Sequence, residues 1–166
     1  MNHETTLRTM LLTAFLLLAI LAGAQESANA TSEMVLSKGQ TVYVPAYSHV
    51  LIGDHPLEFN LATTLSIRNT DPKQEIIVRK VNYFDSTGKL LKAMVTEPVK
   101  LKPLASTSFF IKETDTSGGF SPSFIVVWES QKRANAPVIE CVMIGARKGQ
   151  GISFVTYGQE IRDSAE

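Results

Sequence analysis

The chain has 166 residues, 44% of them hydrophobic, with 16 basic against 16 acidic side chains. That length and apolar content suit one globular domain and exclude a chain that is disordered throughout. The balanced charge argues against nucleic acid or an anionic membrane as the main partner, since both select concentrated positive charge.

In chain order, Arg8 precedes the apolar run Met10–Ala22, which leads into the small-residue pattern Ala22-Gly23-Ala24. This is the pattern of a secretory signal peptide, expected over residues 1–24, with a second cleavage point after Ala30. The run is shorter than the roughly 18 residues of a membrane-spanning helix. No membrane span is therefore expected after cleavage, and the product is expected in the periplasm or outside the cell. Loss of Arg8, Glu4 and Glu26 with residues 1–30 leaves 15 basic against 14 acidic side chains.

Residues 25–37 read as a flexible N-terminal arm and residues 38–162 as a single domain. In Gln40–Tyr47, Val42 and Val44 alternate with polar neighbours, but Pro45 lacks an amide donor, so an edge strand or a strand end is expected. Ser48–Pro56 reads as a loop and holds His49 and His55. The most regular stretch is Leu57–Asn69, where Leu57, Phe59, Leu61, Leu65 and Ile67 share one face and only Thr63 interrupts. It predicts a half-buried strand around which the domain is organised. The turn-rich Asn69-Thr70-Asp71-Pro72 suggests a hairpin-like reversal onto Glu75–Phe84. There the alternation slips between Val78 and Val81, and a bulge would restore the face. Asp85–Lys89 predicts a turn, with Gly88 free to take a positive φ and Asp85 able to bind backbone amides ahead of it, before a hairpin partner over Lys89–Val95.

Glu97–Leu104 carries Pro98, Pro103, Lys100 and Lys102, which suits an extended edge segment crossing between sheets. Ser106–Glu113 predicts a strand with Phe109 and Ile111 on one face and Phe110 on the other. After the polar loop Thr114–Pro122, the run Ser123–Glu129 is apolar on both faces, as in an inner strand. Gln131–Pro137 reads as a charged connector, Pro137–Arg147 as a strand, and Lys148–Gly151 as a reversal into a last strand at Ile152–Tyr157. About eight strands and no amphipathic helix predict an all-β fold, an antiparallel β-sandwich. Cys141 is the single cysteine, so no internal disulfide can form, and its apolar neighbours predict a buried, inert thiol.

Few residues carry recognisable chemistry. Asp115, Thr116, Ser117, Gly118 and Gly119 combine a carboxylate, hydroxyls and glycine-freed amides that could bind a small ligand, an anion or a cation; they equally suit a wide interstrand turn. Arg68 beside an acidic turn and Arg147 beside a glycine reversal can each receive a carboxylate or phosphate bidentately, or form a local ion pair. His49 and His55 are the metal candidates, against the alternative of two ordinary loop histidines. A nucleophilic mechanism would need one of the same two as its base, and no Gly-x-Ser-x-Gly elbow occurs. No catalytic residue and no cofactor is assigned.

The segments Lys38–Ser48, Thr64–Asp71, Asp115–Gly119 and Met143-Ile144-Gly145 together resemble a bacterial family of short exported proteins catalogued as a domain of unknown function. The resemblance runs from about Leu36 to Ile161. It implies export and a single domain, and transfers no catalytic residue. Family members that look like lipoproteins carry a cysteine at the end of the leader, which this chain lacks. Separately, Leu101-Lys102-Pro103-Leu104-Ala105-Ser106 before an aromatic strand, and Trp128 on an inner strand, resemble an immunoglobulin-like sandwich.

These readings point to a non-enzymatic, immunoglobulin-like binding or accessory module of the cell envelope. It would contact an envelope protein or a small ligand through loops at one end of the sandwich. The alternative is a small periplasmic metal-binding protein or hydrolase using the His49/His55 loop. Strand addition at the edges near Val42 or Val99 is a third route, opposed by Pro45, Pro98, Pro103, Lys100 and Lys102.

Overall fold

A computed structural model describes residues 36–147 and 149–162. The leader expected over residues 1–24, and the arm up to residue 35, lie outside the described residues. Among the described residues twelve strands follow one another: β1 Leu36–Pro45, β2 His49–Ile52, β3 Leu57–Asn60, β4 Ala62–Arg68, β5 Ile76–Phe84, β6 Leu90–Ala93, β7 Val99–Leu101, β8 Ser106–Ile111, β9 Ser123–Asn135, β10 Val138–Arg147, β11 Gln150–Tyr157 and β12 Gln159–Ile161. One sheet has the order β12-β1-β9-β5-β6, with β7 also paired to β5; a second has the order β11-β10-β4-β8; β2 and β3 form a separate hairpin. Every pairing is antiparallel.

The period-two alternation of the strands builds the core. Val42, Val44, Val78, Val81, Phe124, Val126 and Trp128 point inward from the first sheet, and Leu65, Ile67, Ile139, Cys141 and Met143 from the second, in one buried cluster. Full burial of a valine, leucine or isoleucine side chain contributes about 1.5–3 kcal/mol, so this shared cluster is what holds the two sheets face to face. Cys141 lies within it, and burial pushes its thiol up to about 12, which keeps it protonated and unreactive as the sequence implied.

Several local expectations match the structure. The register of β5 against β9 shifts between Val78 and Lys80, where the slipped alternation called for a bulge. Gly88 takes φ 83°, and Asp85 Oδ1 accepts the amides of Thr87 and Lys89 at 2.9 Å each. Phe110 faces out while Ile111 is buried, and β9 is an inner strand between β1 and β5.

Other expectations need correction. The strand count rises from about eight to twelve because short segments pair. The expected loop Ser48–Pro56 contains β2, which pairs with β3. The expected continuous strand Leu57–Asn69 divides at Leu61, whose amide donates to Ser48 O at 2.8 Å; β3 joins the hairpin and β4 the second sheet. Leu57, placed by alternation on the core face, is consequently 64% exposed. β1 ends at Pro45 as expected, yet it is no edge, since β12 and β9 flank it. The charged connector after Glu129 is instead the end of β9, because Ala134 and Asn135 pair with Ser37 and Leu36.

The expected hairpin from β4 into β5 is also absent: the chain changes sheets there, and side chains hold the crossing. Asn69 Nδ2 donates to Gln74 O, Leu101 O and Lys102 O at 2.8, 3.1 and 3.0 Å. The Asp71 carboxylate accepts the amides of Lys73 and Gln74 at 2.8 Å and of Asn135 at 2.9 Å. Asn135, then Lys73 and Gln74, hold Asp71 below the usual carboxylate range. The Thr87 hydroxyl and the Lys89 amide do the same for Asp85. A depressed folded value gives stability that is complete above the unfolded value, near 3.9, and is lost as pH falls through the folded one. Thermal melts should therefore hold steady above about pH 4 and fall below it. Asp71→Asn should lower the melting temperature at neutral pH and flatten the acid limb. An acid limb identical in wild type and variant would contradict this role.

Candidate functional site

Two hairpins define one end of the domain. The first, β2–β3, pairs His49 with Asn60, Val50 with Phe59, Leu51 with Glu58 and Ile52 with Leu57, and turns through Gly53 at φ 79°. The second, β10–β11, pairs Arg147 with Gln150 and turns through Gly149, also at φ 79°. Both turns need the left-handed backbone that glycine adopts without a Cβ penalty.

The two hairpins approach closely at Gly145. A Cβ there would lie 2.6 Å from Asn60 O, 2.6 Å from Phe59 Cε1 and 2.9 Å from Leu61 Cδ2, so only glycine fits. Above this contact they enclose a cleft of about 290 Å³ lined by Ile52, Leu57, Glu58, Phe59, Arg147 and Gln150. On the β2–β3 side its wall is Ile52, Leu57 and Phe59 with the Glu58 carboxylate beside them, and Arg147 and Gln150 supply donors from the other. Among the described residues, Arg147 makes no hydrogen bond or ion pair. Glu58 points its carboxylate toward His49 Nε2 at 3.8 Å, too long for a hydrogen bond.

His49 links this cleft to its surroundings. Its side chain is 13% exposed, and its buried Nδ1 has no hydrogen-bond partner among the described residues. The imidazole packs edge-on against Phe120 at 5.2 Å; Phe120 meets Tyr47 at 5.7 Å, and Tyr47 meets Phe154 at 5.6 Å. These edge-to-face contacts tie the β2–β3 hairpin to the loop before β9 and to β11. His55 is exposed in the turn between β2 and β3. Among the described residues no three of His, Cys, Asp and Glu come together, so His49 has Glu58 but no third ligand beside it.

The other site residues read from the sequence have partners within the protein. Asp115 Oδ1 accepts the amide and hydroxyl of Ser117 at 3.1 and 2.6 Å, and the Gly119 amide donates to Thr116 O at 3.1 Å. Gly118 O accepts both the amide and the hydroxyl of Ser86 at 2.9 Å. Gly118 is buried against Tyr83 and Pro122, and Gly119 has φ 69°. This is the geometry of an interstrand turn whose polar groups are bound by the loop itself and by Ser86. Arg68, at the end of β4, pairs with Glu140 at 3.2 Å on the outer face of the second sheet. Only Arg147 of the expected set lines the cleft. Ile52, Leu57, Glu58 and Phe59 were not singled out as site residues, because nothing local in the sequence says that β3 leaves the strand it precedes; Gln150 joins the cleft as the partner of Arg147 across the β10–β11 turn.

Comparison with known proteins adds the family. A family model described as a protein of unknown function, DUF3124, matches residues 39–161. No curated protein matches the chain. Among solved structures, it is similar to one titled the crystal structure of Thermotoga maritima 1070, with 14% identity over 72% of this chain and 92% of that one. The TM-score of 0.43 is too low to carry an argument.

Proposed function

We propose, for a chain that belongs to the DUF3124 family of proteins of unknown function, the role of an exported, non-enzymatic binding module of the cell envelope. Its contact site is the cleft between the β2–β3 and β10–β11 hairpins. The observation that carries this reading is the pairing of a guanidinium, Arg147, that has no partner among the described residues, with the apolar side chains of Ile52, Leu57 and Phe59. Such a cleft suits a compact apolar group bearing a carboxylate, which a guanidinium can bind through two parallel hydrogen bonds. Its volume of about 290 Å³ sits at the lower limit of small-molecule sites, about 300–1,000 Å³. The ligand is therefore a small acid or the last residue of a partner chain. The lining side chains bind and orient; none of them is a serine, threonine or cysteine nucleophile. Export is supported by the leader pattern over residues 1–24.

The reading is tested by titrating the full chain with N-acetyl-leucine and with N-acetyl-leucinamide while following backbone amide resonances. The acid should shift Ile52, Leu57, Phe59, Arg147 and Gln150 together, and the amide should shift them less. Shifts that are absent or scattered would reject the cleft. Fractionation of cells expressing the whole chain should release a shortened protein by osmotic shock; an unshortened protein confined to the cytoplasm would reject export.

A further inference from the structure

A strand at the end of a sheet presents unpaired N–H and C=O groups, and proteins usually guard such edges with lysine, proline or short length. The first sheet is guarded: β12 is short and carries Glu160, β6 carries Lys92, and β7 carries Lys100 between Pro98 and Pro103. In the second sheet β11 is tied to β1 at one point, where the Thr156 hydroxyl donates to Pro45 O. The remaining edge, β8, has no such guard. It pairs with β4 along all six residues, Ser106–Ile111, and with no other strand among the described residues. Its sequence, Ser-Thr-Ser-Phe-Phe-Ile, contains no charge and no proline.

Two exposed apolar residues bracket this edge. Phe110 is 57% exposed on the outer face. Leu104, just before the strand, is 72% exposed and has φ 61°, the one positive φ outside glycine among the described residues. Leucine is disfavoured in that conformation, which a glycine or asparagine would take at lower cost. The positive φ belongs to the turn Lys102–Ala105, closed by the Ala105 amide donating to Lys102 O at 3.0 Å, and that turn leaves the leucine side chain facing solvent beside the edge.

We propose that β8 is a self-association edge, on which two copies of the chain pair β8 against β8. The strands run antiparallel about a two-fold axis at Ser108, and the second sheet grows from four strands to eight. A second copy fits for three reasons. The strand is uncharged, so its own image brings no like charges opposite one another. Around Ser108 it is sterically self-complementary: Phe110 falls opposite the small Ser106 of the second copy. The formal net charge of the whole chain is zero, so little long-range repulsion opposes the encounter. This interface lies on β8, apart from the cleft, and does not depend on the reading of that site.

The test is a charge swap at the two-fold axis. Sedimentation of the wild type should show a concentration-dependent dimer, and Ser108→Lys or Ser108→Glu alone should weaken it about tenfold or more, because identical charges then oppose each other. A one-to-one mixture of the two variants should restore a heterodimer near wild-type affinity. That recovery also shows that both variants are folded. A wild type that stays monomeric up to about 1 mM, the weak end of specific association, would overturn the proposal and leave the edge to an extended segment of another protein. A dimer indifferent to either substitution, or variants that do not recover on mixing, would overturn it as well.

Discussion

Replacing Trp128 with alanine should cost about 3–5 kcal/mol of folding free energy, a large part of the roughly 5–15 kcal/mol that holds a domain together. The indole is 1% exposed at the middle of β9. Its backbone neighbours are Gln40 on β1 and Val78 on β5. Its Nε1 donates to Gln40 Oε1 at 3.2 Å, so truncation removes both the largest buried side chain and the partner of a polar group. Trp128 is the single tryptophan, and its fluorescence disappears with it. Urea unfolding must therefore be followed by far-ultraviolet circular dichroism. The midpoint should fall with the slope unchanged. A loss below about 1 kcal/mol, the ordinary effect of a substitution, would show that the first sheet does not rely on this residue.

Gly145→Ala should destabilise the fold by about 1–3 kcal/mol through overpacking. The reason is space, since the new methyl would lie 2.6 Å from the Asn60 carbonyl, a backbone atom that cannot turn away. Relief requires β10 to separate from the β3–β4 junction, which displaces Phe59 from the wall of the cleft. Stability and ligand shifts should therefore fall together. A variant as stable as the wild type, with an unchanged cleft, would mean that the close approach at Gly145 does not shape the site.

What the sequence revealed and what it concealed follow from the range of the interactions involved. Period-two alternation identified β4, β5 and β8, because a strand with one buried face writes that face into every second residue, and β9 showed as a run apolar on both faces. The turn at Asp85 and the bulge after Val78 were legible because each is set by neighbouring residues. The partition of strands between sheets was not. β4 and β5 are consecutive and look like a hairpin, yet Asn69 and Asp71 bind backbone groups at Leu101, Lys102 and Asn135, which no local pattern indicates. The same limit hid the cleft. Arg147 stood out by its place next to a glycine reversal, and Gln150 is its partner across that turn, whereas Glu58 and Leu57 meet them only because β3 leaves the line of β4. The loop Asp115–Gly119 was conspicuous for the opposite reason: polar residues that satisfy a turn have the same composition as polar residues that bind a ligand.

The central claim is that Arg147 receives a carboxylate in the cleft of the β2–β3 and β10–β11 hairpins. It is tested most directly by comparing the affinities of N-acetyl-leucine for the wild type and for Arg147→Gln, which leaves the fold's buried core untouched. Loss of a charge-assisted hydrogen bond at an exposed site should weaken the acid about three- to tenfold and leave N-acetyl-leucinamide unchanged. Equal binding of the acid by both proteins would contradict the account.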